Sequence, residues 1–536
     1  MRVLLVEPNY RKLSAKRRRL VEEELPDDDV VAEADNNEDT LWYPPLGLMK
    51  LARFHRDRKD EVKFVRGWGK SLLEDGGLFA PAEPLWDRVY ITTLFTFHFD
   101  KIIETINFYK AAVGGTAHKI FVGGIMASLM PRAIHEESGI YPIPGVITSP
   151  RQIGIEDDTN IDLLPPDYSI LDGRLYAIND TYYGYCSRGC VNSCPWCGVP
   201  HIEPGYVQYI DIKPIIRALR EEYKGDKSRL KLMDNNVLAS PDLPRIVDDL
   251  LELGYGRNDV TKTKPPKQRV VDFNQGLDAS FLTEERMKLL SKLNIKPMRI
   301  AFDRATEKKA YVSAVRLARA YGVTQFSNYL LYNWKDTPRD LYDRLVVNIE
   351  LNEEWAANGD KARTEIYSYP MRYAPIDESN GPGANRCRDY CAMQDDERRD
   401  WLRNPVWTRR FVRSIEIMKG AAHGAISPTP TLARRTIGET FEDFVANLYM
   451  PEELLRNRNR HELRIYPEEP DRKPGTGKVE AFRAFILALI KRNTAVFREF
   501  HEAVAANTAD AIRAAVRKCR DRDKEVKAWL DTYLRK

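Results

Sequence analysis

The sequence predicts an α/β protein in three parts. These are an N-terminal Rossmann-like parallel-sheet domain over 1–150, a partial (β/α)6 barrel over 179–380 reached through a linker at 151–178, and a helical, basic C-terminal domain over 381–536. Three observations lead there. The first 380 residues alternate short apolar runs with amphipathic stretches, the rhythm of parallel strands joined by crossover helices. That rhythm stops at the Gly/Pro/Asn-rich stretch SNGPGANRCRDYC, beyond which the apolar spacing is helical. At 536 residues the chain is also too long for one hydrophobic core.

In the first part the strand-like runs are VLLVEP (3–8), EVKFVRG (61–67), RVYITTLFT (88–96), KIFVGGIMA (119–127) and GVIT (145–148). The helical runs are GLMKLARFHRDR (47–58) and KIIETINFYKAAV (101–113). Residues 9–41 form a charged insertion, with a basic knot from Lys16 to Arg19 and acidic runs from Glu22 to Asp29 and Glu33 to Asp39, a composition suited to a solvated loop. The linker carries Pro165-Pro166 and no clean period.

Six strand-like runs follow: DTYYGYC (180–186), RLKLMD (229–234), RVVDF (269–273), MRIAFD (298–303), QFSNYLLY (325–332) and EIYSYPMRY (365–373). Helical patterns separate them, so chemistry is expected at the carboxyl ends of the strands. In DTPRDLYDRL, Asp336 or Thr337 suits an N-cap and Pro338 the first helical position. The C-terminal part reads as helices, among them TRRFVRSIEIMKGAAH, ETFEDFVANLYM and one long run, VEAFRAFILALIKRNTAVFREFHEAV. Within that run AFILALI offers a face to bury.

Composition narrows the class. With 43% hydrophobic and 30% charged residues, and no apolar run of membrane-spanning length, the chain reads as a cytoplasmic globular protein. The opening MRVLLVEPNY is too soon interrupted to be a signal peptide and reads as a first strand. Net charge is +4, but residues 401–536 hold 27 Lys+Arg against 18 Asp+Glu, so the basic excess lies in the tail. Such a surface suits an acidic macromolecule such as nucleic acid, although its charges alternate in sign as on a solvated helix face.

Of seven cysteines, Cys186, Cys190, Cys194 and Cys197 fall within twelve residues, which a disulfide framework does not require. Cys190, Cys194 and Cys197 form C-x3-C-x2-C in a short loop after a strand. Three nearby thiolates can wrap one iron–sulfur cubane and leave one iron without a protein ligand. A structural zinc site would want a fourth ligand, and Cys186 would have to supply it from inside a strand. Cys387 and Cys391 are two further thiols in a polar loop, too few for a site by themselves, and Cys519 sits in a charged helix.

The loop Ser187-Arg188-Gly189-Cys190 through Cys197 resembles the signature of the radical S-adenosylmethionine (SAM) superfamily, in the branch with an N-terminal cobalamin-binding-type domain. Tyr43-Pro-Pro-Leu-Gly-Leu-Met-Lys-Leu-Ala52 and Asp60-Glu-Val are similar to that domain's first helix and second strand, so the resemblance covers residues 1 to about 376. It implies a [4Fe-4S] cluster on Cys190, Cys194 and Cys197. It also implies SAM chelated at the open iron and cleaved to a 5′-deoxyadenosyl radical, with a flavodoxin- or ferredoxin-type electron donor. Protein groups in such a site orient the cofactor and exclude quenching partners.

The resemblance further implies SAM contacts from Asp234, Asn235 and Asn236 at the methionine amino group, from Asn274, Gln275 and Asp278 toward its carboxylate or the ribose, from Asp303 near the ribose hydroxyls and from Trp196 beside the adenine, with His201 nearby. The family's Gly-Gly-Glu is absent at 234–236, and Asn333-Trp-Lys-Asp-Thr337 replaces a frequent Pro-Gly-Glu-Thr turn. Cobalamin is implied as a further ligand of the first domain, near Thr92-Thr93-Leu94 and Gly123-Gly124, yet residues 1–54 contain no histidine to serve as its lower ligand. The leading expectation is a radical SAM enzyme acting on an unidentified substrate. The alternatives are a cobalamin-dependent radical SAM C-methyltransferase and, from another class, a non-catalytic iron–sulfur protein that binds nucleic acid. The strand ends of 1–150 are expected to face the mouth of the barrel, and the tail to close the barrel's side or mouth and help select substrate.

Overall fold

The protein is described from a computed structural model, over residues 1–9, 41–68, 86–223, 226–359, 362–373, 375, 400–422, 424–459, 477–519 and 523–534. Nearly all of the charged insertion, the SNGPGANRCRDYC stretch, Cys387 and Cys391 lie outside the described residues. Among the described residues no helix is long and apolar enough to cross a membrane. The chain divides into two compact units. One comprises Met1–Leu277 and Glu285–Lys296, the other Asp278–Glu284, Pro297–Tyr373 and the described residues from Asp400 on.

The first unit begins with β1 (Arg2–Glu7), α1 (Leu46–Asp57), β2 (Glu61–Arg66), β3 (Arg88–Thr93), α2 (Phe99–Ala112), β4 (Ile120–Gly124), α3 (Ile125–Leu129) and α4 (Pro131–Ser138). The four strands pair in parallel in the order β2-β1-β3-β4. Strand period divides β1 between two cores. Leu4 and Val6 pack with Val89, Ile91, Val122 and the α2 residues Ile102 and Ile106. Val3 and Leu5 pack with Leu48 and Leu51 of α1, and with Ile153, Ile155 and Ile161.

Those three isoleucines belong to the expected linker, which is therefore part of the core rather than a spacer. It runs as short 3-10 turns capped by Ser149, Asn160 and Asp167. GVIT is not a strand. Only Ile143 reaches the sheet, in a single parallel bridge to Gly123. KIFVGGIMA splits at Gly124, whose φ of 112° turns the chain from β4 into α3. A Cβ there would collide with the backbone of Thr93 on β3, so glycine is required for close packing.

The same unit continues with β5 (Thr181–Gly184), α5 (Val199–Ile202), α6 (Lys213–Glu222), β6 (Arg229–Leu232), α7 (Leu243–Glu252) and β7 (Val270–Phe273). The strands form a parallel sheet, β5-β6-β7. After α8 (Glu284–Leu290), the second unit holds β8 (Met298–Arg299), α9 (Lys308–Ala320), β9 (Gln325–Tyr332), α10 (Pro338–Ala357) and β10 (Glu365–Arg372), with the parallel order β10-β9-β8. All six strands expected over 179–380 are present and parallel, in two runs of three, as an α/β architecture requires.

Within the second unit Arg344 of α10 is 1% exposed and reaches back to the strand ends. It donates to the carbonyls of Phe302 (3.0 Å), Asp303 (2.6 Å), Leu331 (2.8 Å) and Asp340 (3.0 Å), and pairs with Asp336 at 3.1 Å. Thr337 caps α10 in a capping box with Asp340, as the sequence predicts.

The C-terminal helices are α11 (Arg409–Lys419), α12 (Pro430–Ile437), α13 (Phe441–Tyr449), α14 (Glu452–Arg458), α15 (Gly477–Arg492), α16 (Ala495–Ala506), α17 (Ala509–Lys518) and α18 (Lys524–Tyr533). They share a core with β8–β10. Trp407 is fully buried against Tyr332, the Tyr332 hydroxyl donates to Glu416, and Tyr342 meets Phe441 edge-on and Phe444 at a tilt. The long run over 479–504 is broken at Asn493, φ 42°, giving α15 and α16. The AFILALI run buries Phe485, Ile486, Leu489 and Ile490. Several tail arginines are engaged internally: Arg410 is buried, Arg413 pairs with Glu452 and Arg434 with Glu353.

Candidate functional site

Beyond β5 the chain turns out of the sheet into a loop whose neck is closed three times. The Ile210 amide donates to the Cys186 carbonyl at 2.7 Å, Arg188 and Val207 exchange backbone bonds at 2.9 Å each, and the Gly189 amide donates to the Glu203 carboxylate at 2.6 Å. Gly189 has a φ of 71°, and a Cβ on it would collide with the Gly205 carbonyl. Only glycine fits this crossing. At the base Asp234, 2% exposed, accepts from the Cys186 amide (3.0 Å) and the Ser187 hydroxyl (2.7 Å), and burial pushes its carboxyl up to about 6.

The lobe above the neck carries Cys190, Cys194 and Cys197, all partly exposed, whereas Cys186 is 1% exposed with its thiol pushed well up by burial. The loop offers hydrogen bonds to sulfur. Cys190 Sγ receives the Asn192 amide at 3.4 Å and Asn236 Nδ2 at 3.6 Å, and Cys197 Sγ receives the Val199 amide at 3.5 Å. Such donors stabilise thiolates and set the potential of a cluster they hold. Among the described residues no three His, Cys, Asp or Glu side chains are grouped around one metal ion. Cubane ligands bind different irons, so a single-ion cage is not what that cofactor asks of the loop.

Asn236 is the third residue of the polar run that the resemblance places at the methionine amino group. It is 3% exposed, its Nδ2 points at Cys190, and its Oδ1 is buried without a hydrogen-bond partner. A buried amide oxygen without a partner costs about 1–3 kcal/mol, so an acceptor held open beside a thiol fits a cationic or N–H ligand group. The sequence signal was its place after β6.

The other two residues of that run have partners within the protein. Asp234 is engaged at the loop base. Asn235 donates from Nδ2 to Glu203 at 2.9 Å. Trp196, which lies between Cys194 and Cys197 in the chain, is partly buried. Asn274 follows β7 and is 9% exposed. Its Oδ1 accepts from the Tyr43 hydroxyl at 3.0 Å, which itself accepts from Lys231 Nζ at 2.9 Å. Gln275 is exposed, and so is His201 on α5. Asp303 and Asp278 belong to the second unit. Asp303 accepts from the Leu331 amide at 3.2 Å, with its carboxyl pushed up to about 6 by burial, and Asp278 caps a short turn through Ser280.

A network below the lobe connects it to the first sheet's helix. Arg188 donates to Glu203 at 2.8 Å and to both oxygens of Asp162. Asp162 in turn accepts from Lys50 of α1 at 2.7 Å. The Arg188 guanidinium also lies 3.4 Å from the centroid of the Tyr185 ring. Past Cys197, α5 packs on α3, the helix that follows β4. The carboxyl end of β4 thus leads to the cysteine loop. The Gly123-Gly124 pair, expected near a corrinoid tail, also has a packing role. Thr93 Oγ1 donates to the Gly123 carbonyl at 3.0 Å and accepts from the Ala127 amide at 2.9 Å.

No protein-family model matches the chain, and no curated protein matches it. Among solved structures it is similar to the radical S-adenosylmethionine methyltransferase TsrM from Kitasatospora setae, a structure with cobalamin and a [4Fe-4S] cluster bound. That match has 14% identity, covers 70% of this chain and 72% of that one, and has a TM-score of 0.45. The chain is also similar to HydG, a maturase of the [FeFe]-hydrogenase, at 16% identity over 64% of this chain and 83% of that one, with a TM-score of 0.27.

Proposed function

We propose that this chain is a radical SAM enzyme in which Cys190, Cys194 and Cys197 hold a [4Fe-4S] cluster and Asn236 receives the amino group of SAM. The observation that carries the reading is the loop lobe itself. Three partly exposed thiols sit on a tightly necked loop past a parallel strand, the fourth nearby thiol is sealed in the core, and a buried acceptor without a partner stands beside Cys190. When bound, the reduced cluster supplies the electron that cleaves SAM and so starts hydrogen-atom abstraction from substrate. The chain's own residues do the rest. Asn192, Asn236 and Val199 hydrogen-bond the thiolate sulfurs, Asp234 fixes the loop's root, and Trp196 offers an aromatic face within the lobe.

The test is anaerobic reconstitution with iron and sulfide, followed by product analysis with SAM and a reductant. About four irons and four sulfides per chain and release of 5′-deoxyadenosine are expected. Replacing Cys190, Cys194 or Cys197 by Ala removes the cluster, and Cys186→Ala keeps it. Loss of metal on Cys186→Ala alone would mean a closed four-cysteine site and sink the proposal. S-adenosylhomocysteine formed only with added cobalamin would mark the methyltransferase reading.

A further inference from the structure

We infer that Glu203 is a positioning residue that sets the geometry of Cys190. The inference rests on the reading of the loop as a cluster site. The Glu203 carboxylate is 10% exposed and takes three donors: Gly189 N at 2.6 Å, Asn235 Nδ2 at 2.9 Å and Arg188 Nη1 at 2.8 Å. Two of these donors lie one step from the chemistry. Gly189 precedes Cys190 in the chain. Asn235 precedes Asn236, whose amide nitrogen touches Cys190 Sγ. The backbone of Glu203 closes α5 by donating to Val199, and the Val199 amide donates to Cys197 Sγ.

One side chain therefore holds both banks of Cys190 together, the loop that carries it and the post-β6 segment that hydrogen-bonds it. Charge keeps Glu203 in place. Lys50 and Arg188 are two cations, Asp162 and Glu203 two anions, all largely buried and arranged in a chain in which every carboxylate meets a cation. Bonds of this charge-assisted kind are short and directional. Removing the Glu203 charge leaves Arg188 with one anion shared with Lys50, which loosens the neck rather than merely deleting one contact.

The test compares full-length wild type with Glu203→Gln and Glu203→Ala by two measurements. The first is amide hydrogen exchange of the metal-free protein, read on peptides covering 186–210 and on peptides covering β1–β4. The second is iron content and cluster midpoint potential after reconstitution. Glu203→Gln keeps one oxygen for the Gly189 amide, so it tests the charge if Glu203→Ala fails to fold. For Glu203→Gln, exchange in 186–210 is expected to rise about tenfold or more, with β1–β4 unchanged. Iron loading falls, and the residual cluster shifts in potential because the Asn236–Cys190 contact is displaced.

Wild-type exchange in 186–210 for both variants would overturn the inference. So would raised exchange with loading and potential unchanged, since Glu203 would then serve only the fold of the loop. If wild type itself took up no iron, the cluster reading would fail, while the exchange arm would still decide whether Glu203 holds the neck.

Discussion

Gly189 shows how a single residue decides whether the cysteine lobe exists. Its positive φ and its crossing under Gly205 leave no room for a side chain, so Gly189→Ala is expected to cost on the order of 2 kcal/mol of local stability and most of the iron uptake, measured as iron per chain after reconstitution. The three cysteines were legible from their spacing alone. Glu203, Asp162 and Lys50 were not, because the bonds they make join positions far apart in the chain and leave no periodic trace. Asn236 read as one of three equivalent polar residues after β6, because spacing does not tell which of them turns toward the loop root, as Asp234 does, and which toward Cys190.

Two other acids make a pH prediction. Burial pushes Asp303 and Asp336 each up to about 6, against about 3.9 in an unfolded chain. Between about pH 4 and pH 6 the folded state therefore binds protons that the unfolded state has released, and their contribution to stability falls as pH rises through that window, then stays level. Asp303→Asn should remove its share, on the order of 2 kcal/mol. The check is the wild-type minus variant difference in denaturant midpoint at pH 4 and pH 7, in which other carboxylates cancel. A difference independent of pH would contradict it.

At the scale of elements, α10 is the best anchored helix of the second unit. Thr337→Ala is expected to cost about 1 kcal/mol through loss of the cap. Arg344→Met should cost about 3 kcal/mol or more, because it leaves the carbonyls of Phe302, Asp303 and Leu331 and the carboxylate of Asp336 buried with fewer donors. Chemical denaturation of both variants measures the two costs. Strands such as β5, buried along its whole length, and β10, which alternates buried and more exposed residues, both leave a period the sequence carries, which is why six strands occur where the alternation put them. GVIT had the same composition but lacks a strand beside it, and composition cannot supply a neighbour. The break at Asn493 was hidden because the apolar spacing continues across it at nearly the same period.

At the scale of the whole molecule, the C-terminal helices complete the core of the unit that holds β8–β10. Deleting 401–536 strips Trp407 from Tyr332, Glu416 from the Tyr332 hydroxyl, and Phe441 and Phe444 from Tyr342. The expected result is insoluble protein or loss of the cooperative unfolding transition, seen by calorimetry, rather than a folded enzyme lacking one selectivity element. A truncated chain that melted like wild type would show the helices to be dispensable. Their helical nature was legible in the sequence. Their partnership with the strands was not, since the glycine- and proline-rich stretch before them looks like a domain boundary whether or not the core continues beyond it.

The packing of Ile153, Ile155 and Ile161 beneath the first sheet has a consequence for biosynthesis. At elongation rates of about 5–20 residues per second, β1 leaves the ribosome many seconds before the segment that covers its second face. Until then the face of Val3 and Leu5 is covered in part, by α1 and by earlier residues such as Ile143 and Ile147. A first module ending near residue 150 is therefore expected to leave part of that face uncovered. The full core of the first sheet includes residues that lead toward the cysteine loop, so its completion is expected to wait on synthesis of that segment.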